Sequence, residues 1–262
     1  MKNFRKVTGL MSIAILGAVM INSTSAFAET KTRKTDAVIK FTPPGDGEGP
    51  VDPVDPTDPS IPVTPIDPTD PTKPVDPGTN GPLSLDYASS LSFSEQKITT
   101  KDKIYYADMQ QLIDPEKGEE PYKSANYVQM TDLRGTLAGW SLSVQQNGQF
   151  KTEDGDELKG AQLQFNHGKH ATISESAAPS QVQETITLNA DGTGSASNVM
   201  AAKVNEGGGT HILRFGSDDA ETPEESTIAK GVQLSVPGKS EKLLKKYATT
   251  LTWTISSIPT NE

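Results

Sequence analysis

The chain has 262 residues, with 34 acidic and 24 basic side chains, no cysteine, and aromatic residues at only 6%. Its formal charge of −10 disfavours a nucleic-acid partner, whose phosphates call for a basic patch. The lack of cysteine excludes disulfides, thiolate metal sites and a cysteine nucleophile.

The first element is a leader. Lys2, Arg5 and Lys6 precede an apolar run over 9–21 and a small-residue stretch ending Ser25-Ala-Phe-Ala28, the layout of a secretory signal peptide cleaved between Ala28 and Glu29. The apolar run falls short of the roughly 20 residues of a membrane-spanning helix, and no other segment is apolar enough to insert. An exported, soluble product follows. The leader carries +3 of the formal −10, so its removal leaves −13, a charge suited to a basic partner or to the amines of a cell wall. Export without cysteine points to a bacterium that does not rely on an oxidising periplasm.

Residues 29–41 are short, charged and without an apolar pattern. Over 42–82 the composition shifts to a repeat of Val, Thr or Ile followed by Asp and Pro, as at Asp52-Pro53, Asp55-Pro56 and Asp58-Pro59. Proline at this density opposes helix and sheet ladders, and stacked aspartates repel along a polyproline rod. The segment therefore reads as a disordered, extended linker with no face to pack. A proline ligand for an SH3-like groove is the functional alternative.

From 83 to 262 the apolar residues alternate: Leu142 and Val144, Leu163 and Phe165, Ile186 and Leu188, Leu213 and Phe215, Val232, Leu234 and Val236. Turn signals at Asn147-Gly148, Asp154-Gly155, Asp191-Gly192 and Pro237-Gly238 separate them. This pattern predicts an all-β domain, an antiparallel β-sandwich or barrel. One short helix is expected over 241–247.

Catalytic and metal motifs are sparse. His167 and His170 fall in a glycine-containing loop, His211 stands apart, and no acidic partner sits at ligand spacing; solvated histidines are expected, and neither a metal nor a cofactor. The acidic stretches 153–157 and 189–194 could offer oxygens to calcium, yet neither completes a binding-loop pattern, so charged turn tips are expected. Gly207–Gly209 lacks the Lys-Ser/Thr and the helix of a phosphate loop. Two carboxylates suffice for a glycosidase, but no hydrolase motif is present, and the chain is not expected to be an enzyme.

The two tryptophans occur in like settings, GWSLSV at 139–144 and LTWTIS at 251–256. In a strand, residues i and i+2 share a face, so Trp140 and Leu142 line one side of the first, and Trp253 and Ile255 one side of the second. With TDLRGT at 131–136, YATTLTWTIS at 247–256 and Pro259, these motifs resemble the WxL domain family of Gram-positive cell-surface proteins. Ile255 replaces the family's leucine, a swap that conserves volume. The resemblance implies non-covalent attachment to the cell wall, with peptidoglycan as ligand and Trp140, Leu142, Trp253 and Ile255 as the wall-binding motif. It also implies a membrane-tethered companion surface protein and a multi-protein surface complex. No LPxTG-type sorting signal or C-terminal apolar anchor is present, in keeping with retention by contacts. The rings could pack in the core or stack on sugars. The alternative functions are an adhesin for a host or extracellular matrix protein and a wall-active hydrolase.

Overall fold

The computed structural model describes residues 31–118, 120–189, 193, 195–217 and 227–257; the leader and its cleavage site, Asp191-Gly192 and Pro259 lie outside them. Residues 31–40 are exposed coil. Residues 41–257 carry the strands β1 (Thr64–Ile66), β2 (Leu83–Ala88), β3 (Lys103–Tyr106), β4 (Gln110–Ile113), β5 (Tyr122–Ser124), β6 (Asn126–Asp132), β7 (Trp140–Gln146) and β8 (Gln162–Phe165). They continue with β9 (Gly168–Ala171), β10 (Gln181–Val182), β11 (Ile186–Thr187), β12 (Ser197–Ala202), β13 (Gly209–Phe215), β14 (Val232–Val236) and β15 (Leu251–Ser256).

The all-β expectation holds: every strand pairing is antiparallel, and the described residues contain no α-helix, only a 3-10 turn at Ile228–Lys230. Where the sequence left sandwich or barrel open, the strands form four small sheets: β1-β4-β5 (sheet I), β2-β6-β13-β9 (sheet II), β11-β8-β14-β3 (sheet III) and β10-β12-β7-β15 (sheet IV). No described helix is long and apolar enough to cross a membrane. The helix expected over 241–247 is absent; Leu244 there is 94% exposed while Tyr247 packs against the core, so the segment has no continuous apolar face to bury, and an isolated turn of helix is unfavourable in water.

Sheets II, III and IV share one core. Val128 and Met130 of β6, Leu213 and Phe215 of β13, Leu163 and Phe165 of β8, Leu234 of β14 and Leu142 and Val144 of β7 all pack in it. Alternation along each strand delivers these residues to one side. Strand β6 departs from the one-sided pattern, because all seven of its residues are buried. Its second face, Tyr127, Gln129 and Thr131, lies under a smaller cluster formed by Val63, Tyr87, Leu112, Tyr127 and Ile212, joined by Val54, Ile61 and Val75.

That cluster corrects the reading of 42–82 as an extended linker with no face to pack. Residues 53–63 double back through Asp55 N–H to Ile61 O at 2.9 Å and Val63 N–H to Pro53 O at 2.9 Å. Strand β1 then pairs with β4, Pro65 opposite Leu112. Proline is tolerated there because β1 is an edge strand.

The aspartates that suggested a repulsive rod are turn formers instead. Asp55 Oδ1 accepts from Thr57 N and Oγ1 at 2.7 and 2.5 Å, Asp58 from Ser60 N and Oγ at 3.2 and 2.6 Å, and Asp67 from Thr69 N and Oγ1 at 2.7 Å each. Each Asp-Pro-Thr/Ser unit is thus an Asx turn. In between, the apolar residues supply what a rod would lack: Val63 is only 4% exposed.

Gln129, fully buried on β6, receives the segment as a neighbouring strand would. Its Nε2 donates to Asp52 O at 3.0 Å and its Oε1 accepts from Val54 N at 2.9 Å. Beside it, buried Asp86 accepts from Ser84, Thr131 and Gln129; burial outweighs these bonds and holds its carboxyl above the usual range. Further along, Tyr122 O–H donates to Asp55 Oδ2 at 2.5 Å. Gly78 passes so close to β2 that a Cβ would sit 2.5 Å from the carbonyls of Leu85 and Asp86.

Deleting residues 51–66 should therefore uncover Tyr127 and the buried polar groups of β6 and β2. Losing even two buried aliphatic side chains costs about 3–6 kcal/mol, and the expected fall in melting temperature is on the order of 10 °C. Gln129→Ala, which leaves Val54 N–H and Asp52 C=O without their partner, should reproduce part of it, at about 1–3 kcal/mol. Thermal unfolding of both variants is the check; unchanged melting would return the segment to the status of a free spacer.

Candidate functional site

The two tryptophan motifs are neighbours in sheet IV. β7 lies between β12 and β15, and β15 runs antiparallel to it with Ile255 opposite Leu142 and Trp253 opposite Val144. Since paired residues in a sheet share a face, Trp140, Leu142, Trp253 and Ile255 all point to the core side. Thus Ile255 fills the place the second motif requires, with its β-branch in a strand.

The tryptophans have different surroundings. Trp140 and Leu142 are 0% exposed, so in this fold no sugar ring can reach the first tryptophan. Trp253 is half-buried and contacts Phe165 edge-on at 5.8 Å and Phe215 at 6.5 Å. Such tilted and T-shaped pairs add to the area they bury and tie the edge strand to sheets III and II.

A polar frame locates Trp140. Its indole N–H donates to Gly207 O at 2.8 Å, meeting the need of a buried donor. Gly207 has φ +73°, and a Cβ there would stand 2.5 Å from Trp140 Nε1, so the glycine run that fails as a phosphate loop is the cradle of the indole. Hydroxyls of the preceding segment hold this cradle: Ser174 Oγ donates to Gly208 O at 2.5 Å, and Gly208 N–H donates to Ser176 Oγ at 3.0 Å. On the other side Asp132 binds Arg134 Nε and Nη2 at 2.9 and 2.7 Å, while Nη2 also donates to Gly139 O at 2.8 Å. The TDLRGT stretch thereby fixes the residue that leads into β7.

Two histidines complete the surroundings, against the expectation that they are solvated. His211, 0% exposed on β13, lies 5.6 Å from Trp140 ring to ring and stacks on His170 at 5.2 Å. His170 is on β9, opposite Leu213; His167, at φ +54°, makes the turn before it. Because Gly208 O can only accept, His211 Nε2 carries the proton in their 3.2 Å contact. His211 Nδ1 then accepts from His170 Nε2 at 2.9 Å. Burial, reinforced by the neighbouring imidazole, pushes His211 down to about 4, and burial lowers His170. Sequence reading missed this pair because His211 is 41 residues from His170; only the pairing of β9 with β13 joins them.

Elsewhere, the acidic stretch 153–157 is a turn tip whose Asp154 and Asp156 share Lys245 at 2.7 and 3.1 Å, with Lys151 on Glu157 at 3.0 Å. Most of 189–194 lies outside the described residues. Among the described residues, no three histidine or acidic side chains converge in a way that could hold a metal ion.

Truncating Trp140 to alanine should cost about 3–5 kcal/mol, and Trp253→Ala clearly less, since part of its surface already meets solvent. Thermal unfolding separates them; equal losses would contradict the burial difference.

The histidines give a second expectation. Both folded pKa values lie below the unfolded value near 6.5, so the unfolded chain binds more protons and stability falls as pH drops from about 6.5 towards 4. For His211 the loss is on the order of 3 kcal/mol. Carboxylates held below their usual range, such as Asp67 and Glu206, lose stabilisation only below about 4; raised Asp86 acts in the opposite sense, since its protonation relieves a buried charge. Melting temperatures between pH 7 and 4.5 should fall steeply for the native chain and less for His211→Gln; parallel curves would exclude the histidines as the cause.

The comparisons with known proteins accord with this frame. No significant match was found among curated proteins or among solved structures. The family described as "WxL domain surface cell wall-binding" matches residues 28–259, nearly the whole chain and including both tryptophan motifs, the TDLRGT stretch and the docked proline-rich segment. The chain belongs to the WxL family of cell-wall-binding surface domains.

Proposed function

We propose that the protein is an exported, non-covalent binder of peptidoglycan on the surface of a Gram-positive bacterium, and that it works by binding rather than by catalysis. The observation that carries the reading is the family match over residues 28–259, whose description is cell-wall binding. The signal-like leader supports export. In this reading Trp140, Leu142, Trp253 and Ile255 serve wall binding by holding sheet IV together, not by touching the ligand themselves. A membrane-tethered companion and a multi-protein surface complex belong to the same proposal.

Sedimentation of the mature chain with purified peptidoglycan tests it. Co-sedimentation with no loss of wall turbidity is the expected result, and it should persist at physiological salt because the acidic chain meets both amines and anionic polymers in a wall. Clearing of the suspension would replace binding by hydrolysis. Failure to sediment would remove the peptidoglycan assignment.

A further inference from the structure

The outer face of sheet III, uncharged like that of sheet IV (Ser141, Ser143, Gln145, Thr252, Thr254 and Ser256), is set apart by the exposed Ile104 and Tyr106. Alternation sends Leu163, Phe165, Leu234 and Ile186 to the core and leaves Ile104 and Tyr106 of β3, Gln233 and Ser235 of β14, Gln162 and Gln164 of β8 and Thr187 of β11 on the other side. None of these seven side chains is ionisable near neutral pH, in a chain of which 22% is Asp, Glu, Lys or Arg.

The register aligns them in rows. Tyr106 lies opposite Gln233, Gln233 opposite Gln164, and Gln164 opposite Thr187. Ile104, Ser235 and Gln162 form the next row. At about 4.8 Å per strand the first row extends roughly 14 Å, room for more than one sugar ring.

Its amides are already oriented. Gln164 Nε2 donates to Thr187 Oγ1 at 2.9 Å, and Gln233 Nε2 donates to Gln164 Oε1. Hydrogen bonds of this kind fix rotamers before a ligand arrives and reduce the entropic cost of binding. At the β3 end, Tyr106 is 43% and Ile104 51% exposed. An exposed aromatic ring with a polar tip, next to ordered amides, suits a ligand with both C–H faces and hydroxyl or acetamido groups.

We infer that the outer face of sheet III is a binding site for an uncharged glycan strand, with Tyr106 stacking on a sugar ring and the Gln233–Gln164–Thr187 row accepting and donating to its hydroxyl and amide groups. The absence of charge on the face selects this occupant: an anionic wall polymer would find no cation among these outward positions, and an acidic or basic peptide no counter-charge. The site deepens the peptidoglycan reading by naming the glycan as the part recognised, and it rests on that reading.

The test uses the mature full chain, purified peptidoglycan and a chitin oligosaccharide as an uncharged acetamido-sugar probe. Titration calorimetry and sedimentation are run on the native chain, Tyr106→Ala and Gln164→Leu, with melting temperatures measured in parallel. Both variants alter exposed or half-exposed groups, so near-native melting is expected. Binding of the oligosaccharide and of peptidoglycan should weaken roughly ten-fold in Tyr106→Ala, the loss typical of removing an aromatic anchor, and less in Gln164→Leu. Native binding to peptidoglycan that is unchanged in both variants would overturn the site while leaving wall binding intact. Oligosaccharide binding that depends on Tyr106 without any wall binding would uphold the site and sink the peptidoglycan reading. Retention only by an anionic wall polymer, abolished by salt, would overturn the glycan assignment.

Discussion

The burial of Trp140 is the constraint around which the rest is arranged. An indole with no exposed surface needs an acceptor for its N–H, and here that acceptor is the carbonyl of Gly207, at a position where a Cβ would stand 2.5 Å from the indole nitrogen. That demand draws the loop before β13 against β7 and so brings sheet II to sheet IV. The Asp132–Arg134 pair and the Ser174 and Ser176 hydroxyls act on the two flanks of the same ring. His211 closes the remaining side as a neutral imidazole, with its protonation disfavoured by the same dryness.

Sheet II passes this order outward. Its β6 strand is covered on one face by the common core and on the other by the proline-rich segment. The second face is amide, hydroxyl and carboxylate as well as aromatic, and such groups are costly to bury unless paired. Gln129, Thr131 and Asp86 are all paired, partly by backbone groups of residues 52 and 54. A proline-rich chain is suited to this, because it loses less conformational freedom on ordering than an ordinary one. The proline-rich segment is consequently part of the folded unit.

These facts separate what builds the domain from what can meet a wall. The apolar members of the tryptophan motifs face inward and define the sheet. The surfaces left to solvent are the alternating polar positions, and on sheet III these form an uncharged, pre-ordered face with an exposed tyrosine.

The sequence alone determined the all-β class, the alternating apolar positions and the shared face of Trp140 with Leu142 and of Trp253 with Ile255, because a period of two is a local property of each strand; that this face is the core side came only from the fold. The motifs also sufficed for the family. It misread the proline-rich segment, since Asp-Pro-Thr/Ser is equally a polyproline unit and an Asx turn, and only the waiting surface of β6 selects the turn. It missed the helix-free course of 241–247 and the His170–His211 pair, and it could not assign the glycine run to Trp140. Each of these depends on which strands become neighbours across tens of residues, and that is settled by tertiary packing, where buried polar groups must find partners and the indole must find its carbonyl.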